Sequence, residues 1–223
     1  MSLLDQLKRA FHFFGKENLA KTPITYAPLP DDIRLASDLA LVIIDVQSKY
    51  CDPKGKRGNR ETGQIAKRIQ KLAPQFRKAG IPVYVVYFAD KPQKLKKIDF
   101  YEFKPETGDI LIQKDMDSAF QGSDIKNILQ QHGRKRLLAC GFNLNACVCK
   151  TVLDGCAEGF DIRLLRDLTG NDNDNDSSNA REYVKKMKMK GVIISNASRE
   201  LKNLRAGRTA PRLPVLQPAP ASS

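Results

Sequence analysis

The chain has 223 residues, which is enough for one α/β domain with a sizeable core. Its formal net charge of +13 includes basic clusters at Lys54–Arg60, Lys91–Lys97 and Lys185–Lys190. Such clusters attract nucleic acid, anionic membranes or acidic substrates, although most are simply solvated faces. Five cysteines without a CxxC pair, and no signal-peptide pattern, indicate a reducing, cytoplasmic compartment. No apolar run approaches the roughly 18 residues that span a membrane.

Domain boundaries follow the composition of the chain. Residues 1–37 are predicted to form an amphipathic helix over residues 2–14, followed by an extended arm that contains three prolines. Residues 38–203 form the body, and residues 204–223 are a basic tail rich in proline and alanine that we predict to be disordered. The N-terminal helix is predicted to dock on the body or on a neighbouring subunit.

The body alternates apolar runs with helical patterns, which predicts a parallel sheet with helices on both faces. Predicted strands are Leu39–Val46, Ile81–Phe88, Asp109–Lys114, Arg136–Gly141, Phe160–Leu165 and Gly191–Ser195. Predicted helices are Thr62–Ala79 with a kink at Pro74, one capped by Ser123, one from Cys147 to Glu158, and one ending at Lys190.

Two chemistries are disfavoured by the residues present. Of the two histidines, His12 lies in the N-terminal extension and His132 closes a helix, so histidine-based triads and zinc sites are not expected. In the acidic segment 170–179, Ser177 stands where a calcium-binding loop needs glycine, and the position of its glutamate falls on Tyr183, so a calcium site is not expected either.

Three polar side chains fall at the carboxyl ends of predicted strands or at the helix that follows. Asp45 ends the first strand, Lys114 ends the third, and Cys147 begins the helix after the fourth. Ligands of parallel α/β folds bind outside these strand ends. The N–H groups and dipole of a helix start favour a thiolate, the nucleophilic form of cysteine. The alternative for Cys147 is apolar packing, which is our interpretation of Cys140, Cys149 and Cys156.

Three segments of the body resemble the isochorismatase-like cysteine hydrolase family over roughly residues 38–203. They are ALVIIDVQSKYCD, IQKDMDSAFQGSDIKNIL and CGFNLNACVCKTVLDGCAEGFDIRLLRDL. The resemblance implies a three-layer α/β/α sandwich with a six-stranded, Rossmann-like parallel sheet. It also implies self-association as a homo-oligomer, a small-molecule substrate and no cofactor.

The resemblance implies that Asp45, Lys114 and Cys147 form a catalytic triad. Asp45 would take the thiol proton, Lys114 would lower the pKa of the cysteine, and Cys147 would attack a carbonyl carbon to give a thioester-type intermediate. Backbone N–H groups near Ala146 and Cys147 would hold the oxyanion. A cis peptide bond is implied at Phe142–Asn143.

The same resemblance narrows the reaction. Members that hydrolyse isochorismate itself lack the cysteine, so Cys147 favours hydrolysis of an amide-like C–N bond. Nicotinamidase-type members bind a metal through histidine and aspartate, but residues 90–97 contain no histidine, so no metal is expected. Candidate substrate-binding residues are Gln47, Tyr50, Phe100, Ser118 and Phe120.

One requirement and two alternatives accompany this hypothesis. The third strand is not expected beside the first, so Lys114 must reach within about 6 Å of Asp45 or Cys147 for its charge to act. A non-catalytic binding protein would instead use the basic surface and the terminal extensions. A redox-sensing thiol would pair Cys147 with Cys149 or Cys140, although two residues apart at a helix start is poor disulfide geometry.

Overall fold

The computed structural model describes residues 38–89, 98–175 and 177–206. The predicted N-terminal helix, the extended arm and residues 207–223 of the predicted tail lie outside these ranges. No helix among the described residues is long and apolar enough to cross a bilayer.

Six strands form one sheet, and every neighbouring pair is parallel. The spatial order is β3-β2-β1-β4-β5-β6. The order reverses between β1 and β4, which makes the crevice at their carboxyl ends the expected ligand site of such a sheet. The strands are β1 Leu39–Ile44, β2 Val83–Phe88, β3 Ile110–Lys114, β4 Arg136–Phe142, β5 Asp161–Gly170 and β6 Ile193–Ser195.

Helices cover both faces of the sheet, because successive residues of each buried strand point to opposite sides. Ala40, Val42 and Ile44 of β1 pack into one apolar cluster with the helices that follow β3, β4 and β5. Leu39, Leu41 and Ile43 pack into a second cluster with the remaining long helices. The predicted three-layer sandwich is therefore confirmed. The helices are α1 Ser48–Cys51, α2 Arg60–Lys78, α3 Ala119–Gly122, α4 Ile125–Gln131, α5 Cys149–Ala157, α6 Ala180–Met189 and α7 Ala197–Arg205.

Several boundaries differ from the predicted ones. Helix α2 begins at Arg60 because Asn59 and Thr62 form a reciprocal capping box, and it continues through Pro74. Strand β5 extends past the polar Arg166 and Asp167 to Gly170, with a register shift against β4. Helix α7 was not predicted; it ends two residues beyond the predicted domain end at 203.

The backbones of β1 and β4 come close together at the point where the strand order reverses. Gly141 of β4 pairs with Ile44 of β1 and has a φ of 120°. A β-carbon at Gly141 would lie 2.0 Å from the carbonyl oxygen of Ile44. Only glycine fits this position, and the loops after both strands therefore leave the sheet side by side.

Candidate active site

Asp45 is placed by a sharp turn directly after β1. Its φ of 53° lies in the left-handed region, which aspartate tolerates better than most residues. Its N–H donates to the carbonyl of Val86 at 2.9 Å, and its own carbonyl accepts from the N–H of Gln47 at 2.8 Å. The turn directs the carboxylate inward, where the residue is 1% exposed.

Lys114 ends β3 and is completely buried. Its Nζ lies 2.9 Å from Oδ2 of Asp45 and donates to the carbonyl oxygen of Met116 at 3.0 Å. The same ammonium lies 5.0 Å from the centre of the Phe88 ring, at the carboxyl end of β2. The side chain thus crosses the end of strand β2. Its Nζ lies well within the distance of about 6 Å from Asp45 that its charge needs in order to act.

Cys147 lies between β4 and α5, in a π-helical turn that spans Leu144–Val148. The turn follows a cis peptide bond between Phe142 and Asn143, at the position that the family resemblance implies. The N–H of Ala146 donates to the carbonyl of Asn143 at 3.1 Å. The N–H of Ala146 is therefore engaged by the backbone at rest, and its oxyanion role stays a prediction.

The electrostatics of the three residues act against the thiolate form that the helix start predicts for Cys147. Burial raises the pKa of the Cys147 thiol to about 12, the Asp45 carboxylate adds to this, and the Lys114 charge only partly opposes it. Together these influences favour the protonated form of Cys147, whereas the helix start alone predicts a thiolate. Burial also raises the pKa of Asp45, against the opposing effect of Lys114. A carboxylate with a raised pKa is a stronger base than an ordinary aspartate.

Asp117 is a site residue that the sequence reasoning missed. Its Oδ1 lies 3.8 Å from Sγ of Cys147, and its Oδ2 lies 2.5 Å from Nζ of Lys150 on α5. The side chains of Asp117 and Lys150 are 46% and 58% exposed. The hydrogen bond from Lys150 lowers the pKa of Asp117. An acidic residue in a polar loop after a strand carries no sequence signal that separates it from ordinary solvated aspartates.

Two of the predicted substrate-binding residues lie close to the triad. Tyr50 is buried, and its pKa is raised by burial and by the neighbouring negative charge of Asp45. Ser118 follows Asp117 directly, is 2% exposed, and its hydroxyl has no hydrogen-bond partner among the described residues. A buried hydroxyl without a partner is costly, so Ser118 is suited to bind a polar group of a substrate.

Gln47 was predicted to contact substrate, but the structure uses its side chain to join two segments of the protein. Its Nε2 donates to the carbonyl of Phe88 at 3.1 Å, and its Oε1 accepts from the Phe88 N–H at 2.8 Å. Gln47 also forms an isolated antiparallel bridge with Phe100. Both ends of the amide are engaged by the Phe88 backbone, and a contact of Gln47 with substrate stays a prediction.

Phe100 and Phe120 were predicted to line the pocket, but both pack against other aromatic rings. Phe100 makes edge contacts with Tyr87 and Phe103, at centroid distances of 6.3 and 6.0 Å. Phe120 lies 5.3 Å from the ring of Phe160 within the helix layer. These ring contacts hold both side chains in place, and their role as pocket walls stays a prediction.

The acidic segment after β5 braces the loops around the site. The Asp172 carboxylate lies 2.7 Å from Arg57 and accepts from Asn143 Nδ2 at 3.2 Å, while its N–H donates to Asn143 Oδ1 at 2.7 Å. Arg57 also pairs with Asp174 at 2.8 Å and lies 4.9 Å from the Tyr50 ring centre. Within the described ranges, no group of three or more histidine, cysteine or acidic residues is arranged to hold a metal.

Comparison with known proteins places this fold and site in one family. The model of the isochorismatase domain matches residues 39–198. The secreted isochorismatase effector Isc1 of Verticillium dahliae is 29% identical over 165 residues, covering 70% of this chain and 85% of that protein. The ureidoacrylate amidohydrolase RutB of Pseudomonas savastanoi pv. phaseolicola is 26% identical over 169 residues, covering 56% and 68% of the two chains. A cysteine hydrolase structure from Pseudomonas syringae pv. phaseolicola matches with a TM-score of 0.67 at 17% identity, covering 83% of this chain and 99% of that chain. The chain belongs to the isochorismatase family of hydrolases.

Proposed function

We propose that this protein hydrolyses an amide-like C–N bond of a small molecule through a covalent thioester on Cys147. The observation that carries the proposal is the buried ion pair of Asp45 and Lys114 beside the Cys147 thiol. Apart from these two neighbours, the Asp45 carboxylate oxygens have no partner among the described residues, so they are available to a proton. The similarity to an amidohydrolase supports the choice of bond.

The first half-reaction forms the thioester. As Sγ of Cys147 attacks the substrate carbonyl carbon, the thiol proton passes to Asp45, and the carbonyl electrons move to oxygen. When the C=O bond re-forms, the C–N bond breaks, and the departing nitrogen takes the proton from Asp45. Lys114 acts by keeping the buried carboxylate ionised between turnovers and by fixing its position.

The second half-reaction regenerates the enzyme. A water molecule loses a proton to Asp45 and adds to the thioester carbon. When the C–S bond breaks, Sγ leaves with its electron pair and recovers the proton from Asp45. One water is consumed, and the products are a carboxylic acid and an amine or ammonia.

The raised pKa values of Cys147 and Asp45 fit this order of reaction steps. A thiol whose pKa is about 12 does not ionise at rest near neutral pH, so proton transfer must accompany attack on the carbonyl. Burial strengthens Asp45 as the acceptor in that step. General-base catalysis is most effective when the pKa of the base is close to the working pH.

A turnover assay tests the proposal. We expect the purified protein to release ammonia or amine from some members of a panel of small primary amides and ureido compounds, and Cys147→Ala to abolish this release. Intact-mass spectrometry should detect an acyl adduct that the Cys147→Ala protein lacks. Cys149→Ala, which changes a buried neighbouring cysteine, should retain turnover. Unchanged turnover in Cys147→Ala would contradict the proposal.

We also propose a cytoplasmic location, as expected from the sequence. All five cysteines are free thiols, and four of them are buried. Unpaired thiols persist in reducing compartments. Fractionation of the source cells, with the protein traced by antibody, would test this; recovery from the medium alone would contradict it.

A further inference from the structure

The Cys147 thiol has two carboxylates as neighbours, and their surroundings differ sharply. Asp45 is 1% exposed and is paired with the buried Lys114. Asp117 approaches Sγ to 3.8 Å, and its side chain is 46% exposed. The mechanism proposed above uses the buried carboxylate and leaves the half-exposed carboxylate without a role.

The side chain of Asp117 is held in place by Lys150, which is not part of the proposed triad. Asp117 lies in the loop after β3, whereas Lys150, which lies 2.5 Å from its Oδ2, is on α5 two residues after the π-helical turn. The ion pair joins the loop that follows Lys114 to the helix that follows Cys147. Its lysine favours the charged form of the aspartate. A negative charge is thereby held beside the Cys147 thiol, on a side chain that is itself about half exposed to solvent.

We propose that Asp117 is a specificity-determining residue, which admits neutral or cationic substrates and disfavours substrates that carry an anionic group next to the scissile carbonyl. This inference rests on the proposed hydrolase function. The carboxylate of Asp117 can accept a charge-assisted hydrogen bond from an N–H of an amide or ureido group. It repels a carboxylate at the same place.

The size of the effect follows from the separation of the charges. Two unit charges about 4 Å apart change an encounter rate or affinity by roughly fivefold in bulk water, and by more where water is partly excluded. The positive charge of Lys150 cancels part of the field of Asp117. Loss of Lys150 therefore strengthens the preference for neutral over anionic substrates, and loss of Asp117 removes that preference.

Alkylation with two reagents of nearly equal size measures this preference directly. Iodoacetamide is neutral and iodoacetate is anionic, and mass spectrometry reports the labelling rate of Cys147 with each. The ratio of the two rates does not depend on the thiolate fraction, because both reagents attack the same thiolate. We expect Asp117→Asn to lower the iodoacetamide-to-iodoacetate ratio by about fivefold, and Lys150→Gln to raise it.

Asp115→Asn is the matched control, since Asp115 is an exposed aspartate of the same loop whose charge is not among the main influences on the Cys147 pKa. An unchanged ratio in Asp117→Asn, or an equal change in Asp115→Asn, overturns the inference. The measurement needs no turnover and is separate from the Cys147→Ala assay. An unshifted ratio in a protein whose turnover depends on Cys147 would therefore reject the charge selection alone.

Discussion

The ammonium of Lys114 lies 2.9 Å from the carboxylate of Asp45, although strand β2 separates the strands that carry them. Both groups are removed from water, so each is costly to bury without the other. The attraction between the two opposite charges is stronger in a medium of low polarity than at the surface, so it offsets part of that cost. Each residue therefore depends on the other for stability, and Lys114 opposes the rise in the pKa of Asp45.

Replacing Lys114 by methionine should destabilise the protein at pH 7. The substitution keeps most of the side-chain volume but leaves the Asp45 charge buried without a counter-ion, which typically costs about 3–5 kcal/mol. Urea unfolding followed by circular dichroism measures the change. The control is Lys126→Met, which breaks the half-exposed pair with Glu158 and should cost less than about 1 kcal/mol. Equal losses in the two variants would contradict the prediction.

The stability of the Lys114→Met protein should depend on pH with a definite sign. Burial already raises the folded-state pKa of Asp45 above 3.8, and loss of the lysine removes the charge that opposes this shift. The folded variant then binds a proton that the unfolded chain releases, so its free energy of unfolding should rise as pH falls from the raised pKa towards 3.8. Unfolding curves between pH 7 and about 4.5, compared with Lys126→Met, would show it. A variant that weakens further on acidification would refute this account.

Alkylation of Cys147 should show the pH dependence of a buried thiol. Because its pKa is about 12, the labelling rate should increase through the alkaline range without levelling off near neutral pH. Asp45→Asn should speed labelling at pH 8, since the Asp45 charge contributes to the raised pKa, and the same change should abolish turnover. Residue-resolved mass spectrometry separates Cys147 from the other four thiols. A plateau below pH 8 would instead indicate a stabilised thiolate.

Gly141→Ala should be far more damaging than an alanine at a glycine in open space. At Gly141 the new methyl group meets the Ile44 carbonyl at 2.0 Å with φ at 120°, and we expect a loss of about 3 kcal/mol or more. Gly133 has a φ of 67°, and an added β-carbon there would have no atom of the described residues within 4 Å, so Gly133→Ala should cost only about 1–2 kcal/mol. Thermal unfolding of both variants tests the difference. Similar melting temperatures would show that β1 and β4 can separate to admit the methyl group.

The sequence was sufficient to predict the parallel sheet and the placement of Asp45, Lys114 and Cys147 at its carboxyl edge. Apolar runs mark where buried strands end, and parallel strands bring their carboxyl ends to one edge. That rule alone placed Asp45, Lys114 and Cys147 near one another. The resemblance added the position of the cis peptide bond at Phe142–Asn143.

Features that depend on loop paths could not be predicted in the same way. The contact of Asp117 with Cys147 and the clamp of Gln47 on Phe88 are made between segments about 30 and 41 residues apart. The helix-start position of Cys147 could be read from the sequence, but its burial beside Asp45, which raises the pKa of the thiol, could not. The sequence shows that Phe100 and Phe120 are aromatic, but it does not show that their rings pack against those of Phe103 and Phe160.

Strand β3 lies at one margin of the described sheet, and it has only five residues. Its side chains alternate between buried and partly buried, so a slip of one residue along β2 would turn Lys114 to the opposite face. The ion pair with Asp45 resists that slip more strongly than backbone pairing alone. The buried ion pair thus also fixes the register of the outermost strand, and mutations that loosen the margin of the sheet are expected to displace Lys114 from Asp45 first.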